Sequence, residues 1–292
     1  MSGIAPRNSS RRWRLGDRAL EFPPPLVAGI VNVTDDSFFS GARSGTPERA
    51  VADGFALVEA GFDLLDVGAV PAGSGAPVAA AEEGERLVPA IERLAAEGDV
   101  PVLADTFSAE VAAQALAAGA AGINDIGGGG EEMLELVAAS GCGYVLMHIA
   151  GPPRSDRPAP SYDDPVDHLR SWFSERLEAA VGRGVDPERI ALDPGLDFDL
   201  SVDDDLEVMR RLGELRALGH PLFVALSRKD FLGAVAAGSW EGRLPAERRE
   251  PATLAAAALA VAAGADVLRL HDRAALDAVR TAAAITGVLG HG

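Results

Sequence analysis

The chain has 292 residues, 48% of them hydrophobic and only 5% aromatic, with 33 glycines and a formal net charge of −18. That supplies one large core or two small ones and suits an α/β protein with many short turns. A global field of that sign works against nucleic acid and anionic membranes, so an anionic ligand needs a local cluster of basic side chains.

Residues 1–25 carry FPPP at 22–25 and precede the first apolar run. Eight such runs follow, near 26–32, 62–68, 100–105, 121–125, 143–148, 189–193, 220–226 and 265–270. Helical patterns alternate with them at 47–60, 82–97, 108–118, 131–140, 165–182, 203–218, 246–263 and 273–286. One phrase recurs: EAGFDLLDVG (59–68), AAGAAGINDIG (117–127), ASGCGYVLMHI (139–149) and AAGADVLRLHD (262–272). Each has the tail of a helix, a glycine suited to the left-handed C′ position, and an apolar run of the kind buried on both faces of a parallel sheet. Eight alternations imply a (β/α)8 TIM barrel over 26–292 as a single domain, with 1–25 as an N-terminal cap segment under it. A doubly wound open sheet is the alternative. The long connections 33–46, 69–81, 149–164 and 227–245 all follow strand C-termini, the active face of a barrel.

The single cysteine, Cys142, lies in an apolar segment. It forms no intrachain disulfide, which fits a reducing compartment, and reads as a buried small hydrophobe rather than a nucleophile. The Arg-rich start RNSSRRWRL is followed by no apolar run of a signal peptide. No segment approaches the roughly 20 apolar residues of a membrane span. A cytoplasmic location is expected.

The strands finish on polar residues: Asn32, Asp66, Asp105-Thr106, Asn124-Asp125, Met147-His148, Asp193, then Ser227-Arg228-Lys229, and Arg269 with His271. One polar strand end meets solvent or caps a helix. Eight of them, brought by a barrel to one mouth, form a binding site's inventory. In RIALDPGLDFDL (189–200) an apolar strand runs into the core and ends on an acid. Burying Asp105 and Asp193 unpaired would cost roughly several kcal/mol, so they need donors, which a ligand with an N–H-rich edge supplies.

These residues carry a family resemblance. GIVNVTDDSF (29–38), ADTF (104–107), GINDIGG (122–128), VLMH (145–148), LDPG (192–195), LSRKDFLG (226–233) and RLHD (269–272) resemble, in order, the motifs of the pterin-binding family, dihydropteroate synthases above all. The likeness spans about residues 26–286. It implies a transferase that joins 6-hydroxymethyl-7,8-dihydropterin diphosphate to p-aminobenzoate, releasing diphosphate in folate synthesis. It further implies that Asp105, Asn124 and Asp193 hold the pterin, with Ser227 beside them and Lys229 at its carbonyl and ring nitrogen. Ile126, Met147 and Phe198 would line the ring's faces. Asn32, Arg269 and His271 would bind the diphosphate, with Mg2+ near Asn32. Lys229, Arg269 and His271 would serve catalysis, His271 as charge and hydrogen-bond donor in preference to general acid. The family also implies a homodimer through late helices, for which ATLAAAALAVAA (252–263) is apolar enough; the same run equally suits packing on the barrel.

Three departures stand out. After the second strand the chain reads DVGAVPAGSGAPV (66–78), without the family's Thr-Arg pair, and no basic residue occurs between Arg49 and Arg86. Ser108 replaces a usual basic residue, and the usual Gly-Phe-Gly-Lys reads Asp197-Phe198-Asp199-Leu200. The pterin half of the site is thus nearly complete and the p-aminobenzoate half altered. Arg43 is the expected substitute for the lost charge, and weaker sulfonamide inhibition than in a standard family member is expected. A pterin-binding paralogue without synthase activity, or a folate-dependent methyltransferase of the same fold, are the alternatives. Of the remaining motifs, Asp35-Asp36 reads as a loop or cap rather than a metal pair. GGGG (127–130) reads as a strand-helix turn rather than a phosphate cradle, and DLSVDDDLE (199–207) as a helix cap rather than a calcium loop.

Overall fold

The computed structural model describes residues 11–33, 47–73, 75–155 and 160–288. An antiparallel hairpin of β1 (Arg11–Leu15) and β2 (Arg18–Phe22) comes first. Eight parallel strands follow: β3 (Leu26–Asn32), β4 (Leu64–Gly68), β5 (Val102–Asp105), β6 (Gly122–Asp125), β7 (Gly143–Met147), β8 (Ile190–Asp193), β9 (Phe223–Ala225) and β10 (Val267–Leu270). They pair in the order β8-β7-β6-β5-β4-β3-β10-β9. A parallel bridge between Leu192 and Leu222, with Leu192 N–H donating to the Pro221 carbonyl at 2.9 Å, brings the two ends together. The result is a single-domain (β/α)8 barrel, as the alternation predicts.

The ring of helices comprises α1 (Pro47–Ala60), α2 (Ala80–Glu97), α3 (Ala109–Ala117), α4 (Glu131–Ser140), α5 (Pro165–Gly182), α6 (Val202–Arg210), α7 (Leu212–Leu215), α8 (Asp230–Ala237), α9 (Glu250–Ala263) and α10 (Arg273–Ile285). Local chemistry sets their ends. Asp164 accepts from the N–H groups of Val166 and Asp167, with Pro165 opening α5 behind it. Gly264 closes α9 at φ +97°, a conformation that leads the chain straight into β10.

Two expectations need correction. The helix expected over 203–218 is divided into α6, α7 and a 3-10 turn, the last ending at Gly219 with φ +83°. The connection 227–245 contains α8, whose first N–H groups are capped by a side chain from another loop and so left no local start signal.

The barrel interior begins with a layer of Ala28, Leu64, Leu103, Val145, Ala191, Phe223 and Val267, drawn from the early residues of their strands. The hairpin packs on this layer with Trp13, Leu15 and Phe22, all fully buried. Trp13 Nε1 donates to the Arg189 carbonyl at 2.9 Å, and Arg11 Nε donates to Asp266 at 3.0 Å. With that end filled by apolar side chains, the polar strand ends lie at the other.

Candidate active site

Strand register brings the predicted residues together. Asp105 pairs across the sheet with Asn124, and Met147 with Asp193. Asp66, in the middle of β4 and wholly buried, ties the group together. Its Oδ2 accepts from Asn124 Nδ2 at 3.1 Å and from Arg269 Nε. Arg269 then donates through Nη2 to Asp105 at 2.5 Å. The guanidinium thus spans two carboxylates from neighbouring strands in charge-assisted bonds. Asp66 Oδ1 and Asn124 Oδ1 are buried acceptors without partners. Such groups cost free energy unless a donor reaches them.

Asp193 is 3% exposed, and its Oδ1 accepts from Gly195 N–H at 2.8 Å. Burial pushes its carboxyl up to about 6, against the favourable Gly195 bond and the charges of Lys229 and Arg269. Burial also raises Asp105 to about 7, opposed by Arg269 and reinforced by the nearby Asp66. Both sites resist bare negative charge and favour it once donors arrive. Lys229 Nζ donates to the Leu196 carbonyl at 2.8 Å and lies 4.5 Å from the Phe198 ring centroid. Ile126 and Met147 form an apolar wall with Ile149, on which Ala72, Phe107 and Phe198 pack.

His271 Nδ1 lies 2.6 Å from Ser227 Oγ, so that hydroxyl is engaged by the protein itself. Burial and the cations Arg269 and Arg228 push the imidazole down to about 3. That favours the neutral imidazole near pH 7. Asn32 ends β3, half-buried. His148 is buried away from this group, against α5: its Nε2 is 3.1 Å from His168 Nε2 and its ring meets Trp172 edge-on.

The altered Asp197-Phe198-Asp199 segment keeps a glycine-like backbone. Asp197 has φ +68° and Asp199 φ +57°. Aspartate tolerates the left-handed region better than most residues, and here each carboxylate is used. Asp197 accepts from Phe231 N–H at 2.9 Å and from Asp230 N–H, capping α8 beside Lys229. Asp199 accepts from Ala150 N–H at 2.8 Å.

The bland motif readings hold. Asp125 fills the glycine turn, accepting from Gly127 N–H (2.7 Å), Gly129 N–H (3.0 Å) and Tyr144 OH (2.6 Å). Ser201 and Asp204 form a capping box at α6. Cys142 is buried, and burial raises its thiol above the ordinary value. Arg43 and Asp35-Asp36 lie outside the described residues.

Sequence reading passed over two groups. Asp66 carried the same signal as the other strand ends but was given no role. Arg154, in the β7–α5 connection, reaches the β4–α2 connection and donates to the carbonyls of Pro71 and, at 2.9 Å, Ala76. That contact has no sequence signature.

The family model described as pterin binding enzyme matches residues 28–271. The chain is 39% identical to the dihydropteroate synthase of Mycobacterium leprae over 271 residues, which is 91% of this chain and 95% of that one. Two structures of the Xanthomonas albilineans dihydropteroate synthase are 40% identical to it. One, with 4-aminobenzoic acid, superimposes with a TM-score of 0.85 and covers 96% of this chain and 100% of its own. The other, with 7,8-dihydropteroate, has a TM-score of 0.82 and covers 95% and 99%. With the match running from β3 to the end of the mouth and the fold shared throughout, this chain belongs to the pterin-binding enzyme family, among the dihydropteroate synthases.

Proposed function

We propose that the protein catalyses the dihydropteroate synthase reaction, with the pterin diphosphate seated in the strand-end cup and p-aminobenzoate entering from the rim. The observation that carries this reading is the pair of buried, unpartnered acceptors, Asp66 Oδ1 and Asn124 Oδ1, beside buried Asp193. They suit a flat heterocycle that presents several N–H groups. Asp105, Asn124 and Asp193 accept from the pterin, and Lys229 donates to its carbonyl and ring nitrogen. Ile126, Met147 and Phe198 cover its faces, with Lys229 already lying over part of Phe198. Ser227 acts by orienting His271.

The aryl amine nitrogen attacks the pterin methylene carbon. The C–O bond breaks, its electron pair leaves on the diphosphate, and the amine gives up a proton. Arg269 and the neutral His271 stabilise the departing charge as hydrogen-bond donors. To do so Arg269 turns from Asp105 toward the diphosphate, which frees that carboxylate for the pterin. No covalent enzyme intermediate is needed.

The family implies Mg2+, and the residues present fit it. Asn32 offers a hard amide oxygen at a strand end and would hold the ion beside the diphosphate. Bound there, it neutralises diphosphate charge.

For the oligomer we infer a homodimer. The α9–α10 face exposes Leu259 and Ile285 beside Ala258, Ala274, Ala278 and Ala282, an apolar surface suited to a second copy. A cytoplasmic location accords with the lone buried Cys142.

The test is turnover: pure protein with the pterin diphosphate, Mg2+ and p-aminobenzoate. Equal amounts of diphosphate and dihydropteroate are expected. Tight pterin binding without either product would overturn the synthase reading and leave a pterin-binding paralogue.

A further inference from the structure

Arg154 has an unusual setting. It is a half-buried arginine at φ +59°, a region that few non-glycine residues occupy. The β7–α5 connection holds it there, and its two terminal nitrogens donate to carbonyls on either side of the β4–α2 connection, at Pro71 and Ala76. Its Nε is buried without a partner. The approach is close enough that a Cβ on Gly75 would collide with Nη2. Behind it Glu83, in the first turn of α2, is 3% exposed with Oε1 unpartnered. Glu83 feels the charge of Arg154 and borders Thr106 and Asp105. One cation thus joins two mouth connections.

The held segment matters to the site. Ala72, next to Pro71, packs on the wall formed by Ile126, Met147 and Ile149. The deep acceptors Asn124 and Asp193 are each 3% exposed, whereas Arg154 belongs to the connections above them. A bicyclic ring held by the deep groups leaves the second substrate in the upper layer. The β4–α2 connection has no basic residue of its own from Arg49 to Arg86.

We propose that Arg154 is a positioning residue for the aryl amine: it staples the β4–α2 connection to the β7–α5 connection and fixes the rim wall against which p-aminobenzoate lies. This rests on the synthase reading. Arginine suits the task because its planar fork reaches two carbonyls at once, which a lysine ammonium at the same site does not.

Three variants and two readouts test it. Arg154→Ala removes the staple. Gly75→Ala keeps the charge but displaces the guanidinium. Arg154→Lys restores one bond. The first two are expected to raise KM for p-aminobenzoate by about 10-fold, with KM for the pterin diphosphate and kcat changed by less than about 2-fold, and the lysine variant falls between. In the free protein, hydrogen exchange is expected to quicken at residues 69–73 and 75–79 in both alanine variants, with Val102–Asp105 unchanged. An unaltered p-aminobenzoate KM, or both KM values rising together, would overturn the proposal. So would unchanged exchange, which is read without activity and decides the staple even if the wild-type protein makes no product.

Discussion

Asp193 shows how a single residue was readable in part. An apolar run ending in an acid announced that β8 delivers a carboxylate to the mouth, and the structure has Asp193 there, 3% exposed. Burial outweighs the bond from Gly195 N–H and raises the carboxyl to about 6. A ligand with N–H donors binds the ionised form, so protons compete with it. With Asp105 at about 7 and Asp193 at about 6, pterin affinity is therefore full above about pH 7 and falls as pH drops through those two values. Calorimetric titrations between pH 5 and 8 should show that decline, and Asp193→Asn should bind weakly with a flatter profile. Equal affinity at pH 5 and 8 in the wild type would mean that the carboxylate does not meet the ring. Asp197 and Asp199 were less readable. As letters they broke a glycine pattern, but their positive φ angles keep the glycine backbone, and their carboxylates accept bonds that glycine could not, Asp197 at the start of α8 and Asp199 from Ala150. A motif read by letter misses such a substitution because aspartate here takes the left-handed backbone that glycine favours. His271 shows the opposite case: the letter suggests charge, while burial and the nearby Arg269 and Arg228 disfavour it.

At the scale of elements, the eight strands and most helices could be read because each obeys one period and one terminator. What escaped depended on distant partners. α8 begins where Asp197 caps it from another loop, and Arg154 bridges residues about 80 positions apart in the chain. The opening segment gave no strand pattern, yet β1 and β2 form a hairpin whose fully buried Trp13 meets Phe223 edge-on at 6.3 Å between centroids. Gly143 belongs to the same contact, since a Cβ there would strike Leu15. Trp13→Ala removes the largest of these side chains and the bond to Arg189. It should cost about 3–5 kcal/mol in chemical denaturation, with KM values little changed because the mouth is at the opposite end. A loss below about 1 kcal/mol would show that the hairpin merely rests on the barrel.

For the whole molecule, a chain of net charge −18 is proposed to handle two anionic substrates. Four cations, Lys229, Arg228, Arg269 and Arg154, lie on the strand-end side. Arg269 is held between Asp66 and Asp105, so the cup carries its own counter-ion. Bound substrate takes over those bonds in the reaction proposed above. The most direct measurement is a structure of the protein with 7,8-dihydropteroate. The pterin ring is expected within hydrogen-bond distance of Asn124, Asp193 and Lys229, with Arg269 turned off Asp105 and the aryl group beside the connection that Arg154 holds. A ring lodged elsewhere, with Arg269 still bridging both carboxylates, would contradict it.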